Sequence, residues 1–172
     1  MPPKRIMIVG LPGAGKSTFA QFLSQRLHLS CYHIDKYYWK PRWQKHSSSE
    51  WKAIHQHLIE KPQWIIEGCA IKSSFIERFA RAELVIYFKL PRMVCLWRMV
   101  KRRFLGTRPD KLPTGCDEGL PWRLIKYMWT FDRLLMSYYL PAAQKNFPHV
   151  KVIIINEPAQ VEALFQDLIS FF

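Results

Sequence analysis

At 172 residues the chain has the length of one domain with a sizeable core, and 49% hydrophobic with 15% aromatic content excludes a disordered polymer. No apolar run reaches about 18 residues, which excludes a membrane-spanning helix, and Met-Pro-Pro-Lys-Arg leads directly into an apolar strand, so no secretory leader is expected. A formal net charge of +13 calls for anionic partners or a strongly solvated surface, and composition does not choose between them.

Ile6-Met7-Ile8-Val9 is an unbroken apolar run, the pattern of a strand covered on both faces. GLPGAGKS follows, and its Gly10, Gly15, Lys16 and Ser17 satisfy the spacing G-x-x-x-x-G-K-[ST] of a phosphate-binding loop. Phe19, Leu23 and Leu27 then recur every fourth residue, with Ala20 and Phe22 beside them, as in an amphipathic helix. Strand, glycine loop and helix stand in the order the chemistry needs. Gly10, Pro12, Gly13, Ala14, Gly15 and Thr18 belong to this loop and helix start, whose backbone N–H groups (Pro12, which has none, excepted) curl around an anion at the positive end of the helix. Lys16 reaches the β- and γ-phosphates, and Ser17 Oγ ligates Mg²⁺. The competing reading is an ordinary Gly/Pro turn with a solvated lysine.

Cys31-Tyr32-His33-Ile34 reads as a short second strand ending at Asp35, followed by an aromatic and basic loop, DKYYWKPRWQKH, over residues 35–46. Ser47 with Glu50 forms a capping-box pattern, and Trp51, Ile54, His55, Leu58 and Ile59 mark one face of the helix it opens. Trp64-Ile65-Ile66-Glu67 is a third strand, stopped by Gly68, and a helix through Phe75, Ile76 and Phe79 follows. Leu84 to Phe88 is a fourth strand, and after Leu90-Pro91 comes a helix through Val94, Trp97 and Val100. Residues 105–120, LGTRPDKLPTGCDEGL, hold the glycines and prolines of a loop or lid. Pro121 opens a long helix to about Tyr139, Val150 to Ile155 is a fifth strand, and Pro158 starts a last helix. Trp51, Trp64, Trp97, Trp122 and Trp129 fall at core positions of this pattern.

Strands alternating with helices imply an α/β fold with a five-stranded parallel, doubly wound sheet, whose ligands sit at the carboxyl ends of the strands. Gly10, Asp35, Glu67, Lys89 and Asn156 all lie at or just after such ends and are expected to ring one crevice. Cys31, Cys69, Cys95 and Cys116 form no C-x-x-C pair, which argues against a zinc site or a disulfide framework and makes a reducing cytoplasm the default. Lys89, Arg92, Arg98, Lys101, Arg102, Arg103, Arg108 and Lys111 stand against the single acid Asp110. That cluster fits a triphosphate clamp, a nucleic-acid contact or a solvated helix face.

HIDKYYWKPRW (33–43), WIIEGC (64–69), ERFARAELVIYFKLPR (77–92), CLWRMVKRRF (95–104), GTRPD (106–110) and GCDE (115–118) together resemble the adenylate-kinase-related P-loop proteins, in particular the group of DNA topology modulation proteins. The resemblance spans the whole chain. It implies a three-layer P-loop NTPase fold like that of nucleoside monophosphate kinases, with the loop-bearing strand central, a lid over about 105–120 and the whole of 1–172 as one kinase-like domain. The group's third strand usually ends Asp-Gly-Asn-Tyr, where this chain has Glu67-Gly68-Cys69-Ala70, and its fourth ends in an acid where Lys89 stands.

Phosphoryl transfer depends on positioning and on neutralising spread negative charge. Lys16, Arg98, Arg102 and Asp35 are therefore the candidate catalytic residues. Arg98 and Arg102 share a helix face, and in the resemblance they belong to the helix leading to the lid, where arginines close on the triphosphate; a solvated basic face is the alternative. Arg103 and Arg108 are candidate lid arginines for the nucleotide. Asp35 is expected to hold the acceptor hydroxyl, or else to cap a turn. Tyr38 and Trp39 could stack on a base or sugar. Glu67 is expected to touch the acceptor side and, with Ser17, to serve Mg²⁺. By family position Arg78 faces an acceptor phosphate, with a surface ion pair to Glu77 or Glu83 as the alternative.

The resulting expectation is an ATP- and Mg²⁺-dependent kinase acting on a nucleotide, nucleoside or other small acceptor, with weak nonspecific nucleic-acid binding from net charge. A nucleic-acid-associated P-loop ATPase affecting DNA topology is the alternative. No Asn-Lys-x-Asp motif speaks for a GTPase, no helix-turn-helix or zinc-finger pattern occurs, and the length disfavours a large motor ATPase.

Overall fold

The computed structural model describes residues 2–69, 71–105 and 122–170. Arg5–Gly10 forms β1, whose Ile6 to Val9 are all buried. Helix α1, Lys16–Leu27, starts directly on the glycine loop. Strand β2 is Cys31–His33 and is followed at once by a short helix α2, Ile34–Tyr38.

The predicted aromatic loop is therefore largely ordered structure. After α2 the chain makes a small antiparallel hairpin, β3 (Trp39–Lys40) and β4 (Gln44–Lys45), around a 3₁₀ turn at Pro41–Trp43. Alternating aromatic and basic residues gave no apolar period to read as a helix, and the hairpin turn relies on left-handed Arg42 and Trp43 (φ 59° and 58°) rather than on glycine. Helix α3, Ser48–Ile59, opens on the expected capping box: Ser47 accepts from the Glu50 N–H while the Glu50 carboxylate accepts from the Ser47 N–H.

Strand β5 is Trp64–Glu67, α4 is Ile71–Arg81, β6 is Leu84–Phe88 and α5 is Arg92–Leu105. Helix α6, Trp122–Leu134, does not end near Tyr139. It runs through a π turn at Leu135–Tyr139 into α7, Leu140–Asn146. Pro141 lacks an N–H and crowds the carbonyl one turn back, and widening that turn, with the Leu140 N–H donating to Leu135 O, lets the helix continue past it. Strand β7, Lys151–Ile155, and helix α8, Pro158–Ser170, complete the chain.

The five longer strands form one parallel sheet in the order β2-β5-β1-β6-β7. Helices flank it, and the architecture is that of a P-loop NTPase kinase fold with the loop-bearing strand in the centre. Register aligns His33 and Ile8 with Glu67, Gly10 with Phe88, and Phe88 with Ile155, so the strand ends finish together. The chain goes outward from β1 to β2, returns to β5, then crosses to β6. The resulting switch point lies at the end of β1, where a crevice opens in such sheets.

The core holds Trp51 and Trp64 as expected, but not Trp97 or Trp129, which are 61% and 49% exposed. Both occur on helices whose periodicity also fits a neighbouring row of smaller side chains: Cys95 and Met99 on α5, Met128 and Phe131 on α6, all buried. Among the described residues no helix is long and apolar enough to cross a membrane.

Candidate active site

The phosphate-binding loop is shaped by backbone that side chains would obstruct. Gly13 has φ +80°, and a Cβ there would stand 2.3 Å from Cys95 O, so only glycine lets the loop lie against α5. Gly15 has φ +96°, and the nearest atom to a Cβ there is an Arg98 guanidinium nitrogen at 3.9 Å. Gly15 ends the loop as the N-terminal cap of α1, with no side chain closing that helix end. The unpaired N–H groups of the first turn therefore face outward with the helix's partial positive charge.

Lys16 is only 8% exposed. Its Nζ donates to Leu11 O at 3.0 Å and stands 3.5 Å from Glu67 Oε1. Burial opposes the ammonium, but the charges of Glu67, Cys69 and Asp35 outweigh it, so its pKa lies above the ordinary lysine value. The first helical residue is thus a buried, permanent cation.

Glu67, at the carboxyl end of β5, collects three partners. Besides Lys16, its Oε2 accepts from Ser17 Oγ at 3.2 Å and pairs with His33 Nδ1 at 2.9 Å. Contacts to Cys31, whose Sγ is 4.0 Å from Nε2, and to the Glu67 carboxylate raise the His33 pKa to about 10. A carboxylate and a hydroxyl side by side beneath a phosphate loop are hard oxygen donors, the set that suits Mg²⁺ when phosphates and water supply the other ligands. Among the described residues no group of three His, Cys, Asp or Glu stands ready to enclose a metal without such help.

A second cluster lies on the far side of Glu67. Arg78 of α4 is fully buried, which rules out the surface ion pair: Glu83 pairs with Arg5 at 2.8 Å, and Glu77 lies against His55 Nδ1 at 3.2 Å. Its guanidinium donates instead to Gly68 O at 3.3 Å and Cys69 O at 2.8 Å. Burial lowers its pKa to about 10, against the opposing pull of Cys69, Asp35 and Glu67. Cys69 Sγ donates to Gly10 O at 2.9 Å, tying the segment after β5 to the start of the phosphate loop, and burial pushes the thiol up. Tyr127 of α6 joins this group, its hydroxyl pushed up by burial and by the nearby Cys69 and Asp35.

Asp35 is exposed on the first turn of α2, whose N-terminal cap is His33. Its charge acts on the buried Lys16, Cys69, Arg78 and Tyr127 groups. Tyr38 and Trp39 are half-buried and engaged with their own neighbours. Tyr38 packs edge-on against Trp51 and Trp39, with centroids 4.9 and 5.0 Å apart, and Trp39 meets Trp43 at 5.5 Å.

Across the loop, α5 completes an open cavity of about 380 Å³. Gly13, Gly15, Lys16, Ser17 and Thr18 line one wall. Arg98, Arg102, Trp97, Lys101 and Leu105 line the other. Arg98 and Arg102 thus face the phosphate loop, not bulk solvent alone. Of the segment expected as a lid, Leu105 ends α5, while residues 106–120, with Arg108 and Cys116, and the Arg103 and Trp122 side chains lie outside the described residues.

Sequence reasoning passed over His33, Tyr127 and Trp97. His33 carried a signal, since it is the last strand residue before Asp35 and register sets it opposite Glu67. Tyr127 carried none, because α6 is remote in sequence from everything it touches.

Several solved structures share the fold. Shikimate kinase from Bacteroides thetaiotaomicron superposes with a TM-score of 0.55 at 17% identity, covering 99% of this chain and 98% of that one. Deoxyadenosine kinase from M. mycoides with bound dATP gives a TM-score of 0.52 at 13% identity, over 96% and 98% of the two chains. The same enzyme with dCMP and dCDP bound gives 0.50 at 16% identity, over 97% and 99%. No curated protein matches the sequence. The family described as AAA domain matches residues 6–104, from the first apolar strand to the end of the arginine-bearing helix, and the chain belongs to that family.

Proposed function

We propose that this protein is a phosphotransferase of the adenylate-kinase-related type, moving the γ-phosphoryl group of ATP to a nucleotide, nucleoside or other small acceptor, and that it is similar in kind to the DNA topology modulation group. The observation that carries the reading is the Glu67 carboxylate, held by both Lys16 and Ser17 beneath the phosphate loop while Arg98 and Arg102 face it across the cavity. Burying a carboxylate is costly, and here the anion is set against both the lysine and the hydroxyl that a phosphate-bound metal would need.

Ser17 and Glu67 would hold Mg²⁺, which when bound neutralises charge on the transferred phosphate. Lys16 and the loop amides grip the phosphate chain. Arg98 and Arg102 supply planar, permanent positive charge where it spreads in transfer, with Arg103 and Arg108 as further candidates. Asp35 accepts the hydrogen bond of the acceptor hydroxyl and orients its oxygen for in-line attack. Arg78 bears on the acceptor side by holding the Gly68 and Cys69 carbonyls, and Tyr38 and Trp39 wall that side. Residues 105–120 act as the lid, in one domain with the rest, and the reaction runs in the cytoplasm.

The test is a screen of nucleosides, nucleotides and small alcohols for acceptor-dependent ADP release with wild type and Asp35→Asn, beside a DNA titration at two salt concentrations. Release with at least one acceptor, reduced at least tenfold in the variant while ATP affinity is kept, is the expected result. Tight, salt-steep DNA binding with no acceptor-dependent release would overturn the kinase reading.

A further inference from the structure

We infer that Trp97 is the platform on which the base of the donor nucleotide stacks, so that the protein selects purine over pyrimidine triphosphates by stacking area. The inference rests on the reading of the phosphate loop as a triphosphate site. A tryptophan at a helical core spacing is expected to be buried, yet Trp97 is 61% exposed. It lines the same cavity as Gly13, Gly15 and Lys16.

Helix α5 presents two adjoining rows to that cavity, Arg98 with Arg102 and Trp97 with Lys101 and Leu105. The guanidinium row suits phosphate. The second row is apolar and aromatic with one cation, which suits the uncharged part of a nucleotide. Lys101 Nζ stands 5.0 Å from the Trp97 ring centroid, a cation–π contact that restrains the indole plane in advance of any ligand. The ring's large exposed area remains for a second partner. Met93 and Phe104 on the same helix are also exposed, but neither lines the cavity, so a general sticky face does not account for the position of Trp97.

Stacking on an indole reads the face of a base and not its hydrogen-bonding edge. ATP and GTP are therefore bound alike on this platform, and the smaller ring of CTP more weakly. The test is calorimetric titration, with Mg²⁺ present, of inorganic tripolyphosphate, ATP, GTP and CTP into wild type, Trp97→Ala, Trp97→Phe and Phe104→Ala. Trp97→Ala is expected to weaken ATP and GTP about tenfold or more and CTP less, to leave tripolyphosphate unchanged, and to erase the purine preference. Trp97→Phe is expected to recover most of the loss, and Phe104→Ala to change nothing. Equal ATP affinity in wild type and Trp97→Ala overturns the inference, as does an equal loss for tripolyphosphate, which would mark a structural role. If tripolyphosphate and all nucleotides fail to bind wild type, the phosphate-loop reading falls as well.

Discussion

On the phosphate-loop side of the crevice four buried or half-buried side chains pair across strands and loop: Lys16 with Glu67 and Leu11 O, Ser17 and His33 with Glu67, Cys69 with Gly10 O. On the other side Asp35 stands exposed, and the aromatic residues around it pack on one another in a small hairpin with Trp43 still 42% exposed. The two sides face different problems. Buried charged and polar side chains need such partners, and here they fix Lys16, Ser17 and Glu67 relative to one another beside the loop. The hairpin follows directly on α2, with Trp39 packed on Tyr38, which itself rests on Trp51 of α3. Charge pairing thus anchors the loop side, and ring packing holds the hairpin side.

Glu67→Ala breaks the pre-paired half most severely. It leaves Lys16 and His33 buried without their anion, and removing one partner of a buried pair costs roughly 3–5 kcal/mol. Chemical denaturation is expected to show a loss in that range together with loss of Mg²⁺-dependent turnover. Arg78→Ala is expected to cost less, about 2–3 kcal/mol, because two buried carbonyls lose their donor but no anion is stranded. If its stability is unchanged, the segment after β5 is not held by that guanidinium.

Asp35→Asn sharpens the contrast from the other half. Its exposure predicts a stability change within about 0.5 kcal/mol, so a large fall in acceptor-dependent turnover would belong to chemistry alone. A comparable loss of stability would instead make Asp35 part of the framework.

A further expectation concerns pH dependence. The His33 pKa is raised to about 10, so its contribution is fully present below the unfolded value near 6.5 and is lost as pH rises through 10. His55, buried against Trp51 with its pKa lowered to about 4 by burial and then by Arg78, works in the other direction. The unfolded chain takes up that proton first, so stability falls as pH drops from about 6.5 toward 4. His33→Asn is expected to flatten the alkaline limb of a stability profile and to leave the acid limb alone.

The glycine loop, the five strands and the capping box were legible because each is local: a fixed spacing, an apolar run, a Ser and a Glu three residues apart. The shared edge of the strand ends was legible too, since parallel strands in one sheet bring their carboxyl ends to the same side whatever their sequence. Contacts that depend on packing angle were not. Nothing in ERFARA distinguishes an arginine turned inward onto two carbonyls from one in solvent, and nothing in LWRMVK says that α5 turns Cys95 and Met99 inward and leaves Trp97 out. The continuation of α6 through Pro141 was hidden because the π turn that admits it has no sequence signature.

The central claim is that Lys16, Ser17 and Glu67 form one pre-built site for the phosphates of a nucleotide. It is tested most directly by titrating ATP with Mg²⁺ into wild type and Lys16→Met by calorimetry, with circular dichroism to show that the variant is folded. The account predicts measurable binding to wild type and at least a hundredfold weaker binding, or none, to the folded variant. Equal affinity in the two proteins would contradict it.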